Sequence, residues 1–172
     1  NGEILEFQEK PQKGEEVSNL INAGTYILEP EIIEMIPKGE NISIERDIYP
    51  KIVGNGLYGM PFHGFFIDAG TPESYLEANF KLLNPNGQEI NHKIRKNVQV
   101  DVNVNISDSI IGPNVIIGEN SVIEKCVISD SVILPGTKLY GGTITNSIVG
   151  PNISLNKDVD RTLITPEGKK VF

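Results

Sequence analysis

Ile106-Ser107-Asp108-Ser109-Ile110-Ile111-Gly112-Pro113 returns as Ile128-Ser129-Asp130-Ser131-Val132-Ile133-Leu134-Pro135, and again as Ile144-Thr145-Asn146-Ser147-Ile148-Val149-Gly150-Pro151. The starts lie 22 and then 16 residues apart. Inside the first span a shorter period runs: Ile111, Ile117 and Ile123 recur every six residues, with Gly112 and Gly118 directly behind the first two. One aliphatic side chain per six residues cannot bury itself alone, so such units must stack on their neighbours. Upstream, Val98, Val100, Val102, Val104 and Ile106 alternate with Gln, Asp and Asn, which predicts one strand with polar spacers. Downstream, Pro166-Glu167-Gly168 sits between Thr162 and Phe172 as the turn of a closing hairpin or cap.

These repeats resemble the hexapeptide-repeat, left-handed parallel β-helix, in which each coil has three short strands. Residues 98–157 accommodate two to three coils, with some corners looped out or clipped. The expected division is 1–90 as an α/β region and 91–172 as the β-helix with its C-terminal hairpin.

Before the repeats the pattern is mixed α/β. Weak alternation over residues 2–7, and apolar runs over 20–28, 57–62 and 64–68, predict strands. Pro11 predicts an extended Lys10, with Glu9 and Lys10 projecting oppositely. Gly24 inside a strand marks a bulge or a close backbone approach. Short helices are expected over 31–36 and, capped by Ser43, over 44–49. Thr71-Pro72-Glu73 opens a longer helix with Leu76, Phe80 and Leu83 on one face, broken at 84–87. The connector 88–97 carries Lys93, Arg95 and Lys96.

The chain holds 15 basic and 23 acidic residues, net −8. Residues 1–90 carry −9 and residues 91–172 carry +1. That balance argues against a nucleic-acid binder, which leans on Lys and Arg clusters. No run of 18 apolar residues predicts a membrane span, and no signal-peptide pattern is visible. A single cysteine, Cys126, excludes an intrachain disulfide and fits a reducing, cytoplasmic setting. Beginning at Asn1 and directly in strand-like sequence, the chain reads as lacking an N-terminal part.

Four motifs occur in order: Phe7-Gln8-Glu9-Lys10-Pro11; Asn22-Ala23-Gly24-Thr25-Tyr26-Ile27; Ser43-Ile44-Glu45 with Tyr49-Pro50; and Gly64-Phe65-Phe66-Ile67-Asp68-Ala69-Gly70-Thr71-Pro72. Followed by hexads, they resemble the C-terminal half of the sugar-phosphate nucleotidyltransferases, nearest the mannose-1-phosphate guanylyltransferase group. Phe66 departs from the tryptophan usual there, and the glycine-rich nucleotide loop of that family is absent from these residues. The resemblance implies attack of a sugar-1-phosphate oxygen on the α-phosphorus of a nucleoside triphosphate, most naturally mannose-1-phosphate with GTP. The alternatives are glucose-1-phosphate with ATP, UTP or dTTP. It implies that Lys10 contacts the sugar phosphate as the catalytic cation. Glu9, Asn22 and Gly24 would complete the sugar site. Asp68 would bind Mg²⁺, a hard ion that takes only one or two protein carboxylates. An open solenoid end and flat aliphatic-rich faces predict a homo-oligomer built through the β-helix. With the triphosphate-binding loop and any second metal-binding acid missing from these residues, the fragment is expected to be inactive by itself.

Each residue has a structural alternative. Lys10 and Glu9 can be a surface pair, Asn22 and Gly24 can shape a bulge, and Asp68 can be an acid bonded to amides ahead of a helix. Glu45 is placed as a first-turn acid, Tyr26 and Tyr49 as core, and Cys126 as a small buried filler. His63 and His92 have no zinc-ligand spacing. Two rival functions stand beside the first. A hexapeptide acyltransferase would need a histidine, and none lies between Val98 and Phe172, leaving His92 alone. A non-catalytic oligomerisation or regulatory module is the other.

Overall fold

The computed structural model describes residues 2–83 and 94–172. They form two compact units that divide between Phe66 and Ile67. Packing therefore separates the chain earlier than the change of sequence pattern near residue 90. The cause is the helix that follows Pro72, whose apolar face is buried against the repeats.

The second unit is a β-solenoid of three walls. The first is β1 (Val98–Val100), β4 (Val115–Ile117), β6 (Ser131–Ile133), β8 (Ile148–Val149) and β11 (Thr162–Thr165), paired in parallel in that order. The second stacks β2 (Asn105–Ser107), the first halves of β5 (Val122–Ser129) and β7 (Lys138–Thr145), and β9 (Ser154–Leu155). The third stacks β3 (Ile110–Ile111), the second halves of β5 and β7, and β10 (Val159–Asp160). The fold of this unit is a short left-handed parallel β-solenoid of hexapeptide repeats.

The second wall has four rungs, so the solenoid holds four coils where two to three were expected. More fit because the coils are short: Ile106 pairs with Ile123, Ile123 with Leu139 and Leu139 with Leu155, steps of 17, 16 and 16 residues. Ile111, Ile117, Ile123, Ile128, Ile133, Leu139, Ile144 and Val149 fill the interior at 0% exposure, each step being six or five residues. Cys126 lines the same interior.

Corners explain the rest. The residues predicted as one strand over 98–106 form β1 and β2 around a bend at Asn103, whose φ is 59°. Asp108, Asn114, Asn120, Asp130, Asn146 and Asn152 hold the same left-handed conformation at other corners. Short polar side chains tolerate it because they bond locally. Asn97 donates to Asn114 (3.1 Å) and Asn114 to Asp130 (2.7 Å), a ladder along one edge.

The three copies of the long phrase do not all stack. Ile128 and Ile144 share a column, but Ile106 pairs with Ile123 and so lies one wall earlier. The 22-residue step is one coil plus one wall; the 16-residue step is one coil. A fourth copy, Val159-Asp160-Arg161-Thr162-Leu163-Ile164-Thr165-Pro166, continues the stacked column, with Val159 beside Ile144. Chain residues 162–171 then turn back, β12 (Gly168–Val171) running antiparallel to β11.

Helix α3 (Pro72–Leu82) starts as its sequence predicts. Thr71 Oγ1 accepts from the Ser74 amide (3.2 Å) and Ser74 Oγ accepts from the Thr71 amide (3.1 Å), with Pro72 in the first turn. Leu76, flanked by Tyr75 and Phe80, covers Val132 and Ile148 on the outer side of the first wall. That wall is therefore apolar on both faces.

The first unit contains α1 (Pro30–Glu34), a π-helical turn (Ile44–Ile48) and α2 (Tyr49–Ile52). The strands expected over 2–7, 20–28, 57–62 and 64–68 do not form. Among the described residues of this unit the β contact is one antiparallel bridge between Glu3 and Tyr58, flanked by Ile4 N–H donating to Leu57 O (2.8 Å). A strand is a pairing, and alternation creates one only where a neighbouring backbone accepts its hydrogen bonds. Leu20, Ile21 and Ile27 accordingly stand in solvent.

Candidate functional site

The first unit brings together Glu9, Lys10, Asn22 and Gly24 around one short helical segment. Lys10 is not extended: its φ is 54°, a left-handed conformation in a bend. Its ammonium lies 4.0 Å from Glu9 Oε1 and is well exposed. Glu9 also faces Arg46, 3.8 Å away. One carboxylate thus sits between two cations, and the lysine head remains available to an anion.

Asn22 closes a turn on itself: its Oδ1 accepts from the Gly24 amide at 2.9 Å, with Gly24 at φ 69°. No atom lies within 4 Å of where a Cβ on Gly24 would stand, so the backbone is open to an approaching molecule. The turn is no β-bulge, since no strand surrounds it; the positive φ is what requires glycine. Asn22 Nδ2 donates to the Tyr26 hydroxyl (2.5 Å), which donates to Glu45 Oε1 (3.1 Å). Ser43 Oγ donates to Glu45 Oε2 (2.9 Å) and accepts from the Arg46 amide (3.3 Å), capping the π-helical turn. Glu45's own backbone amide, then Ser43, Tyr26 and Arg46, hold its carboxyl below the usual carboxylate range.

Tyr49 lies beneath. Its ring is 1% exposed and edge-on to Phe7 and to Tyr26. Among the described residues its hydroxyl makes no hydrogen bond of good geometry; burial first, then the neighbouring Tyr26 hydroxyl, pushes its pKa up.

Sequence reasoning placed Tyr26 and Tyr49 in the core and Glu45 at a helix dipole, and it left Arg46 unassigned. The structure joins all four to the site. Tyr26 is exposed enough to bond, and Glu45 spends its carboxylate on Ser43 and Tyr26. For Glu45 the available signal is its place two residues after the capping Ser43, within reach of that hydroxyl; no local pattern announces the other three.

Asp68 belongs to the second unit. It is exposed, and its Oδ1 accepts from the Gly70 amide (3.1 Å) in the turn that leads to α3. Among the described residues Oδ2 carries no hydrogen bond, and no group of three or more His, Cys, Asp or Glu residues converges. A lone carboxylate fits one ligand position of a hard cation whose other ligands are phosphate oxygens and water; by itself it is no metal site. Burial pushes the Cys126 thiol up, away from reactivity. His92, the one histidine an acyltransferase reading could use, lies outside the described residues. Among the described residues no helix is long and apolar enough to cross a membrane.

Residues 1–85 match the nucleotidyl transferase family and residues 91–125 the bacterial transferase hexapeptide (six repeats) family. The chain is 32% identical over 171 residues to a UTP–glucose-1-phosphate uridylyltransferase of Synechocystis sp., an alignment covering 81% of this chain and 44% of that protein. It is 36% identical over 178 residues to the mannose-1-phosphate guanylyltransferase catalytic subunit beta of Dictyostelium discoideum, covering 91% and 46%. It is 33% identical over 159 residues to mannose-1-phosphate guanylyltransferase 1 of Arabidopsis thaliana, covering 87% and 43%. The chain spans less than half the length of these relatives.

Proposed function

The chain belongs to the sugar-nucleotidyltransferases that carry hexapeptide repeats, and from that premise we propose that residues 1–90 supply the sugar-phosphate side of a nucleotidyl transfer. A sugar-1-phosphate oxygen attacks the α-phosphorus of a nucleoside triphosphate, a P–O bond forms, and pyrophosphate leaves. Two polyanions must meet, so the site needs cations more than a base: the attacking oxygen is already a nucleophile. Lys10 offsets charge at the sugar phosphate and in the transition state. Glu9, held between Lys10 and Arg46, accepts from sugar hydroxyls. Asn22 and the Gly24 backbone hold the sugar ring. Asp68 is a ligand for Mg²⁺, which when bound would neutralise triphosphate charge.

The observation that carries this reading is the Asn22–Tyr26–Glu45 relay. It holds the turn at Asn22–Gly24 to the same segment whose Arg46 faces Glu9. We assign mannose-1-phosphate and GTP, supported by the guanylyltransferases among the relatives. Glucose-1-phosphate with UTP is the second reading, supported by the uridylyltransferase of Synechocystis. Assaying the full-length gene product against a panel of triphosphates and sugar-1-phosphates tests both. GDP-mannose formation, lost in Asp68→Asn and Lys10→Ala, is the expected result. Turnover that survives Lys10→Ala unchanged would sink the site assignment. Residues 1–172 by themselves are expected to show no turnover, and nucleotide-sugar synthesis by that purified polypeptide would refute this.

A further inference from the structure

One side chain touches both arms of the site. Phe7 precedes Glu9 by two residues, and Tyr26 follows Gly24 by two. Between them stands Tyr49. Its ring meets Phe7 edge-on at 5.3 Å between centroids and Tyr26 edge-on at 5.2 Å, both at 73°. The π-helical turn delivers it there, the Tyr49 amide donating to Ile44 O. Such wide turns recur at functional sites, where they re-aim the residues that follow.

We propose that Tyr49 is a positioning residue: its buried ring is the spacer that fixes the separation of the Glu9–Lys10 bend and the Asn22–Gly24 turn, so that a sugar phosphate is met from both sides at once. This rests on reading those two turns as the sugar-phosphate site. Up to Phe66, Tyr49 and its neighbour Ile48 are the buried hydrophobic residues among those described. In a sparsely packed unit, this is where geometry can be held rigidly. The ring contacts do this work, since among the described residues the hydroxyl makes no hydrogen bond of good geometry. Binding geometry is sensitive to such spacing, since a displacement of about 1 Å can cost roughly 100-fold in rate.

The test uses Tyr49→Leu, Tyr49→Phe and Phe7→Leu in the full-length gene product, with folding followed by circular dichroism. In Tyr49→Leu the KM for sugar-1-phosphate is expected to rise about tenfold while that for the triphosphate stays within about twofold. Tyr49→Phe restores the sugar KM. Should Tyr49→Leu fail to fold, Phe7→Leu, which relaxes the spacer from one side, gives the same split. A folded Tyr49→Leu or Phe7→Leu with an unchanged sugar KM overturns the proposal, and so does a Tyr49→Phe that behaves like Tyr49→Leu. The ¹⁵N amide signals of Lys10 and Gly24 supply a readout without turnover: both move in Tyr49→Leu if the ring spaces them, and stationary signals overturn the spacer. A wild-type protein that responds to no sugar-1-phosphate, while those signals still move together, removes the functional reading and leaves the spacer standing.

Discussion

Lys10 holds a left-handed backbone at φ 54°, a conformation costing a residue with a Cβ roughly 1–2 kcal/mol. Its side chain gains little in return, since the contact to Glu9 is exposed and 4.0 Å long. On the proposed reading of Lys10 as the catalytic cation, this bend is what sets where the ammonium stands. Comparing Lys10→Ala with Lys10→Gly separates the two contributions. Both lose the cation and should lose turnover alike, but the glycine variant should be the more stable in urea by about 0.5–1 kcal/mol. Equal stabilities would show that the bend stores nothing. Glu45 behaves differently, because its acidity is tuned. Its folded pKa lies below the unfolded value, so its contribution to stability is present above the unfolded carboxylate range. That contribution is lost as pH falls through the depressed value. Glu45→Gln should therefore flatten the acid limb of the stability–pH curve, measured by chemical denaturation at a series of pH values. A variant whose acid limb matches wild type would deny Glu45 this role.

At the scale of elements, the repeated phrase is a hydrogen-bond device. Its second serine faces inward at each stacked copy. Ser131 Oγ donates to Ser129 O and accepts from the Ser147 amide; Ser147 Oγ donates to Thr145 O and accepts from the Thr162 amide. Ser109 does the same on its own wall, accepting from the Cys126 amide. These hydroxyls are buried, so Ser147→Ala leaves the Thr162 amide without its partner and should cost about 1–3 kcal/mol in denaturation experiments. A loss within error of zero would mean that water replaces the hydroxyl. Helix α3 is the other element with a measurable share. Leu76→Ala, over Val132 and Ile148, should cost about 2–4 kcal/mol. The repeat, the aliphatic interior and the start of α3 were legible because each is a local rule: a period, a cap, a proline. The fourth copy was not, because Arg161 replaces Asp or Asn at its corner and Thr162 replaces serine. The strands of the first unit were misread because alternation describes one chain, whereas a strand requires two.

Across the whole molecule the two units are unequally buried. The solenoid unit encloses a continuous aliphatic column from Ile111 to Ile164, while the first unit buries Ile48 and Tyr49 and exposes Leu5, Leu20, Ile21, Ile27 and Met60. The candidate site was proposed from motifs in order alone; the approach of those motifs to residues 43–49 depends on a π-helical turn that no periodicity announces. The outward face of the first wall is covered by α3 at Val132 and Ile148. Self-association, which we propose, must therefore use another wall. Outward Ile110 and Val127, paired across one rung and 39% and 43% exposed, supply an apolar patch for it. Light scattering should find a homo-oligomer that Val127→Asp converts to monomer; a wild-type monomer at tens of micromolar would end that idea. The imbalance in burial makes a further prediction. Local stability follows buried apolar contact, and regions poor in it open at low free energy. Hydrogen exchange of the full chain should protect amides of β5, β6 and β7 to the level of global unfolding, while amides up to Phe66 exchange orders of magnitude faster. If sugar-1-phosphate binds between the two turns as proposed, saturating it should slow exchange selectively at Lys10 and Gly24, because a ligand that binds only the closed arrangement stabilises it by mass action. Uniform protection across both units without ligand would show that residues 2–66 are held by more than the two buried side chains found there.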